Sequence, residues 1–80
     1  MKLVIVRWFD AMSDDSGWKK LGKVKRLKPP VITSVGYLAR HTKKKVTLVA
    51  SVHGKDVDGD VVIPRGMVKS IRLLEEGKKL

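Results

Sequence analysis

Apolar positions along the chain fall in short alternating runs separated by polar, glycine- and proline-bearing links, a strand-and-turn pattern. Segment 2-KLVIVRWF-9 carries β-branched and aromatic residues with no helix breaker and predicts a strand. In 31-VITSVGYLAR-40, Val31, Thr33, Val35, Tyr37 and Ala39 share one face; in 45-KVTLVASV-52, Val46, Leu48, Ala50 and Val52 do so. The polar link "HTKK" between these two runs predicts a β-hairpin. Gly36, inside the first run, predicts a bend or close packing against another strand. A turn-rich stretch, "HGKDVDGD", follows, with Asp58–Gly59 as the hairpin turn before a short strand at 61-VVI-63.

Two segments depart from plain alternation. Residues 10–30, DAMSDDSGWKKLGKVKRLKPP, begin with loop composition and continue as 19-KKLGKVKRLK-28, which suits a short basic strand or an irregular arm. Gly22 argues against a helix there, and Pro29 sets a firm stop. The closing stretch, 61-VVIPRGMVKSIRLL-74, is better defined. Pro64 has no N–H to give a ladder and ends a strand; "RGM" suits one 3₁₀ turn; Val68, Ile71 and Leu73 then return to the core as a last strand. A helix over 66–80, with Met67, Ile71 and Leu74 at helical spacing, is weakened by its β-branched start and by Ser70, although "RLLEEGKKL" suits a terminal turn.

Eighty residues make a single domain, 1–80, and bury five antiparallel strands only if the sheet curls into a small barrel. Ile63, Pro64, Val68 and Ile71 resemble the closing segment of Src-homology-3-like (SH3-like) barrels, in which an apolar–Pro pair, a 3₁₀ turn and a valine join the last two strands. The long loop after the first strand matches that architecture too. The expected fold is therefore all-β, a five-stranded antiparallel SH3-like small barrel with one 3₁₀ turn before the last strand and a long basic arm at about 10–30. The Sm-like family, an RNA-binding alternative, matches at Arg65–Gly66 but departs elsewhere. Val68 stands two positions after Gly66 rather than three, Pro64 interrupts the lead-in, and "HTKKK" replaces the family's Asp and Asn. Its uracil-pocket residues do not carry over.

"VRWFDAMSDDSGW", "SVGYL" and "VIPRGMV", in that order, also resemble a family of small, poorly characterised bacteriophage and prophage proteins. Trp8, Asp10, Ala11, Gly17, Trp18, Ser34, Val35, Gly36, Ile63, Pro64 and Arg65 carry the match. It implies a phage or prophage origin and a bacterial cytoplasm, and no activity.

Charge changes the picture more than composition does. Eighteen Lys and Arg against eight Asp and Glu leave a net +10, and Ser16 to Lys55 holds eleven basic residues and no acid. Such a field favours polyanions. The chain has no cysteine, which removes disulfides and thiolate metal sites, and 3-LVIV-6 is too short to span a membrane. No cofactor, metal or membrane partner is expected. Enzyme chemistry is not expected either. His41 and His53 fall in predicted turns, the serines lack a base and orienting acid in any recognisable motif, and Asp14–Asp15 has no apolar pocket to raise a pKa. The "DVDGD" of 56–60 starts like a calcium loop, but its sixth position is Val61 and its twelfth Met67, where Gly and Glu belong.

The expected site is a phosphate-contacting ribbon of Lys19, Lys20, Lys23, Lys25, Arg26 and Lys28, extended by Lys43, Lys44 and Lys45 on a separate hairpin. Read as a strand, the ribbon sets Lys19, Lys23 and Lys25 on one face while Val24 pins the other to the barrel. Trp18, after a loop glycine and before the lysines, is the aromatic best placed to stack on a base, unless it folds back to cap the barrel. Trp8, inside a strand, reads as core. The first expectation is thus a non-catalytic nucleic-acid-binding barrel, DNA or RNA undetermined, reading no particular sequence. The second is an interaction module that binds or inhibits an acidic host or phage protein, and self-association through edge strands is a third arrangement.

Overall fold

The computed structural model describes all 80 residues and is mostly β, with strands β1 (Leu3–Phe9), β2 (Val31–His41), β3 (Lys45–Val49), β4 (Ser51–His53), β5 (Asp56–Asp58), β6 (Val61–Pro64) and β7 (Val68–Leu73). One short helix, α1 (Leu21–Lys25), lies between β1 and β2, and the 3₁₀ turn Arg65–Met67 joins β6 to β7. The main sheet is antiparallel and ordered β6–β3–β2–β1–β7; β4 and β5 form a separate two-stranded sheet.

β1 supplies much of the core because successive side chains point to opposite faces and one of those faces is fully covered. Val4 and Val6 are fully buried, and Trp8 packs against the same cluster. Val46 and Leu48 of β3 and Ile63 of β6 complete it, with Leu38, Val61, Val68 and Ile71 around the edge. Each such aliphatic side chain contributes roughly 1.5–3 kcal/mol when removed from water. Only seven residues of the chain are buried, so this cluster carries a large share of the stability. Trp8 satisfies its indole by donating Nε1–H to Ser34 Oγ on β2, at 3.0 Å.

The long strand β2 serves both halves of the sheet, pairing with β1 over Val31–Tyr37 and with β3 over Tyr37–His41, with a register shift between Leu38 and Arg40. The crossing is tight at Gly36. A Cβ there would stand 2.9 Å from the Val49 carbonyl oxygen and 3.3 Å from Leu48 Cβ. Close packing, one of the two roles expected of Gly36, is what the sheet requires.

The turn Arg65–Met67 then draws the two edges towards each other. Pro64 on β6 pairs with Lys45, and Val68, at the other end of the turn, pairs with Trp8. Four chain steps reach at most ~14 Å, so the sheet must curl. No β6–β7 ladder forms, and the sheet is not closed.

Several expectations change. The run 45–52 is not one strand. It breaks at Ala50, whose N–H donates to the carbonyls of Asp58 (3.0 Å) and Gly59 (3.2 Å), and β4–β5 leaves as an exposed hairpin. The tight turn of that hairpin is Gly54–Lys55, while Gly59 (φ +71°) makes the bend into β6. A Cβ at Gly59 would lie 2.8 Å from Ala50 Cβ, so space and φ both demand glycine. The five expected strands therefore become seven. His41 and His53 end strands rather than sitting in turns. Residues 74–80 form no helix; Leu74 is tied by its N–H to the Leu3 carbonyl. Alternation leaves open which face of β2 is covered: Val31, Thr33 and Val35 point outward, and Ile32, Ser34, Gly36 and Leu38 take the inner side.

Residues 10–30 are a projecting arm. Its root is closed by Asp10 N–H to the Pro30 carbonyl (3.0 Å), and no hydrogen bond ties residues 11–29 to the sheet. The molecule measures 52 × 31 × 22 Å with a radius of gyration of 16.5 Å. A compact domain of this length would have roughly 12 Å.

Replacing Gly36 with Ala is expected to destabilise the fold by about 1–3 kcal/mol, because the atom it meets is backbone. Urea denaturation measures this. Gly22→Ala, which meets nothing within 4 Å and lies in a helix that Ala favours, is the control that should not lower the midpoint. Equal midpoints for the two variants would contradict the close crossing of β2 over β3.

Candidate nucleic-acid interface

The basic ribbon is built on a helical turn, not a strand. Leu21, Lys23 and Lys25 are good helix formers and outweigh Gly22, whose cost is about 1 kcal/mol. Lys20 starts the turn, its carbonyl accepting N–H groups from Lys23 (3.0 Å) and Val24 (3.2 Å). Arg26 and Leu27 continue it, donating to the Lys23 (3.2 Å) and Val24 (3.1 Å) carbonyls. Lys23 and Lys25 fall in the last turn, where cations suit the helix dipole. Pro29 and Pro30 prevent further winding.

No residue of α1 is buried, so the helix is held by local bonds alone and its basic side chains stand in solvent. Val24 pins nothing to the sheet; it is 44% exposed. Instead it joins Met12, Trp18 and Leu27, beside Asp14, Asp15 and Lys19, in lining an open depression of about 560 Å³ formed by the arm on itself. Trp18 does not fold back over the sheet. Its relative exposure is 105%, that of a free side chain, so its ring is available to solvent. Trp8 is half-buried against the core, as its place in a strand implies.

The acidic start of the arm has a local role. Asp14 accepts a hydrogen bond from the Ser16 N–H (2.9 Å) and pairs with the Lys19 ammonium, the one ion pair in the molecule. The Lys19 hydrogen bond, followed by those from Ser16, holds its carboxyl well below the usual carboxylate range. Because that pKa is lowered, Asp14 is ionised at neutral pH, and its charge is lost only as the pH falls through the lowered value. The pair fixes the loop ahead of α1 and partly engages Lys19, leaving Lys20, Lys23, Lys25, Arg26 and Lys28 without carboxylate partners.

Lys43, Lys44 and Lys45 lie at the β2–β3 turn. Thr42 organises it: its Oγ1 accepts from the N–H groups of Lys44 and Lys45, each at 3.1 Å, and its N–H donates to the Lys45 carbonyl at 2.9 Å. Although β2 separates this turn from the arm in sequence, the curl of the sheet returns it towards the arm's root. Arg65 N–H donates to the Lys44 carbonyl (2.9 Å), and Val68, at the end of the same 3₁₀ turn, pairs with Trp8. Arg65, absent from the expected set, thus joins the lysine turn; its place in the 3₁₀ turn was the signal for it.

Comparison with protein-family models, curated proteins and solved structures returned no match. The functional reading therefore rests on the chain's own geometry.

The two tryptophans give a direct check. In the Trp8→Phe variant the remaining Trp18 is expected to show red-shifted emission and quenching by acrylamide close to that of free indole. Trp18→Phe should leave a blue-shifted, protected signal. A protected Trp18 would mean that the arm lies on the sheet.

Proposed function

We propose that the protein is a non-catalytic nucleic-acid-binding small barrel whose arm contacts the phosphate backbone. The observation that carries the reading is the projection of residues 10–30. Lys19, Lys20, Lys23, Lys25, Arg26 and Lys28 stand there with a fully exposed tryptophan, on a segment with no packing duty towards the core. A chain that needed these cations only for solubility has no use for holding them, with an indole, away from its body. Phosphate contacts release condensed counterions, so a handful of lysines yields substantial, salt-dependent affinity. The Trp18 ring adds base stacking, worth about 1–3 kcal/mol per base. Stacking on a side chain needs an unpaired base, which favours a single strand over a duplex.

Within this reading the sheet is an SH3-like barrel that serves as the arm's mount. The order β6–β3–β2–β1–β7, the long excursion after β1 and the 3₁₀ turn before β7 support that assignment. Lys43, Lys44, Lys45 and Arg65 extend the phosphate path at the rim from which the arm leaves. Sequence selectivity is not part of the proposal, since no element is suited to reading base edges. A phage setting is a proposal carried by the sequence resemblance alone.

Anisotropy of a labelled single-stranded oligonucleotide across a salt series tests the arm. Changing Lys23, Lys25, Arg26 and Lys28 to Gln together should weaken binding. The log–log salt slope should also fall by about 0.7 for each phosphate that is no longer neutralised. Unchanged affinity and slope would remove the arm from the interface.

A further inference from the structure

The outward face of β2–β1–β7 is unusual for an antiparallel sheet exposed to water, where polar residues ordinarily alternate outward. Its cross-strand rows read Val35–Ile5–Arg72, then Thr33–Arg7–Ser70, with Val31 opposite Phe9 at one end. Val35 is 56% exposed, Val31 45% and Phe9 37%, while Ile5 and Arg7 are partly covered. Ile5, Arg7, Lys69, Arg72 and Leu74 line a shallow depression of about 670 Å³ to which no carboxylate contributes. The molecule's one ion pair lies in the arm, so Arg7, Lys69 and Arg72 are unpaired.

We infer that this face docks an acidic, amphipathic protein segment, one that lays aliphatic side chains on Ile5 and Val35 and carboxylates on Arg7, Lys69 and Arg72. Charge complementarity selects the occupant. A second copy seated symmetrically would bring two sets of these three cations together with no acid between them, a repulsive arrangement. A nucleic acid would find the centre of the face aliphatic, where stacking needs aromatic rings. The Phe9 ring at its end already has the Lys69 ammonium over it, 5.9 Å from the centroid. An acidic partner satisfies both kinds of side chain at once: apolar contact gives affinity, and the three cations set orientation and speed encounter. The face is distinct from the arm, so this inference stands independently of the nucleic-acid reading.

The test uses the whole chain and labelled synthetic helical peptides with Leu on one face and Glu on the other, beside a Leu/Lys counterpart. The Leu/Glu peptide should bind and the Leu/Lys peptide should not. Val35→Ser and Arg72→Gln, both at exposed positions, should each weaken the Leu/Glu peptide about tenfold, a change of roughly 1.4 kcal/mol. Thr33→Glu, which sets a carboxylate opposite Arg7 without removing apolar surface, should weaken it as well. The arm variant should bind the peptide normally, and Val35→Ser should bind the oligonucleotide normally. Thermal melts check that each variant is folded. The inference is overturned if the Leu/Glu peptide does not bind, or if the arm variant rather than the sheet variants abolishes binding. It is also overturned if Val35→Ser weakens the oligonucleotide instead, or if sedimentation shows a dimer that Val35→Ser dissolves.

Discussion

Five aliphatic side chains from three strands, Val4, Val6, Val46, Leu48 and Ile63, hold the sheet in its curl, and the rest of the molecule depends on that cluster. They meet because β2 passes close to β3 at Gly36, where any side chain would strike the Val49 carbonyl. With the crossing made, β1 and β3 face each other across a thin core, and the 3₁₀ turn at Arg65–Met67 links the two edges. The core has few members, so little apolar surface is left over to hold down peripheral segments. The arm, the β4–β5 hairpin and the C-terminal residues are the consequence. They extend from the curl rather than packing onto it, which gives the molecule its elongated outline.

That division of labour gives the surface its two characters. One is loose in construction: an arm held by local bonds, rich in lysine, carrying a tryptophan that no part of the fold uses. The other is rigid, the outer side of a paired three-strand sheet on which apolar rows alternate with cations. Polyanions such as nucleic acids are tolerant of geometry and suit the first. A rigid face with fixed spacing between aliphatic and cationic groups suits a partner with matching fixed spacing. Both draw on the same +10 charge, but each applies it with a different neighbour, an exposed ring in one case and branched aliphatics in the other.

Much of the scaffold was legible in the sequence because it is written in local chemistry. A run of β-branched and aromatic residues without a helix breaker marks β1, Pro64 marks the end of β6, and "RGM" marks the turn ahead of β7. Three features were not. The one-turn helix at Leu21–Lys25 was obscured by Gly22, whose modest cost is outweighed when no competing sheet partner is in reach. The break at Ala50 arises from hydrogen bonds to Asp58 and Gly59, made across the hairpin, which alternation does not encode. The outward turn of Val31 and Val35 was hidden for a related reason: both faces of β2 are apolar enough to pass for core, and the choice is made by Gly36 and Ser34 fitting against β3 and Trp8. Of the candidate site, the basic residues and Trp18 were readable as types. Their projection from the fold, and the place of Arg65 beside the lysine turn, belong to tertiary structure.

The central claim is that the arm binds nucleic acid while the sheet acts as its mount. The most direct measurement is an amide NMR titration of the full chain with a single-stranded oligonucleotide. The account predicts shifts concentrated at Trp18–Lys28 and at Lys43–Lys45, with the Trp18 indole signal among the largest and the outer face of β1 and β7 unmoved. Shifts absent from the arm at saturating oligonucleotide, or confined to the sheet, would contradict it.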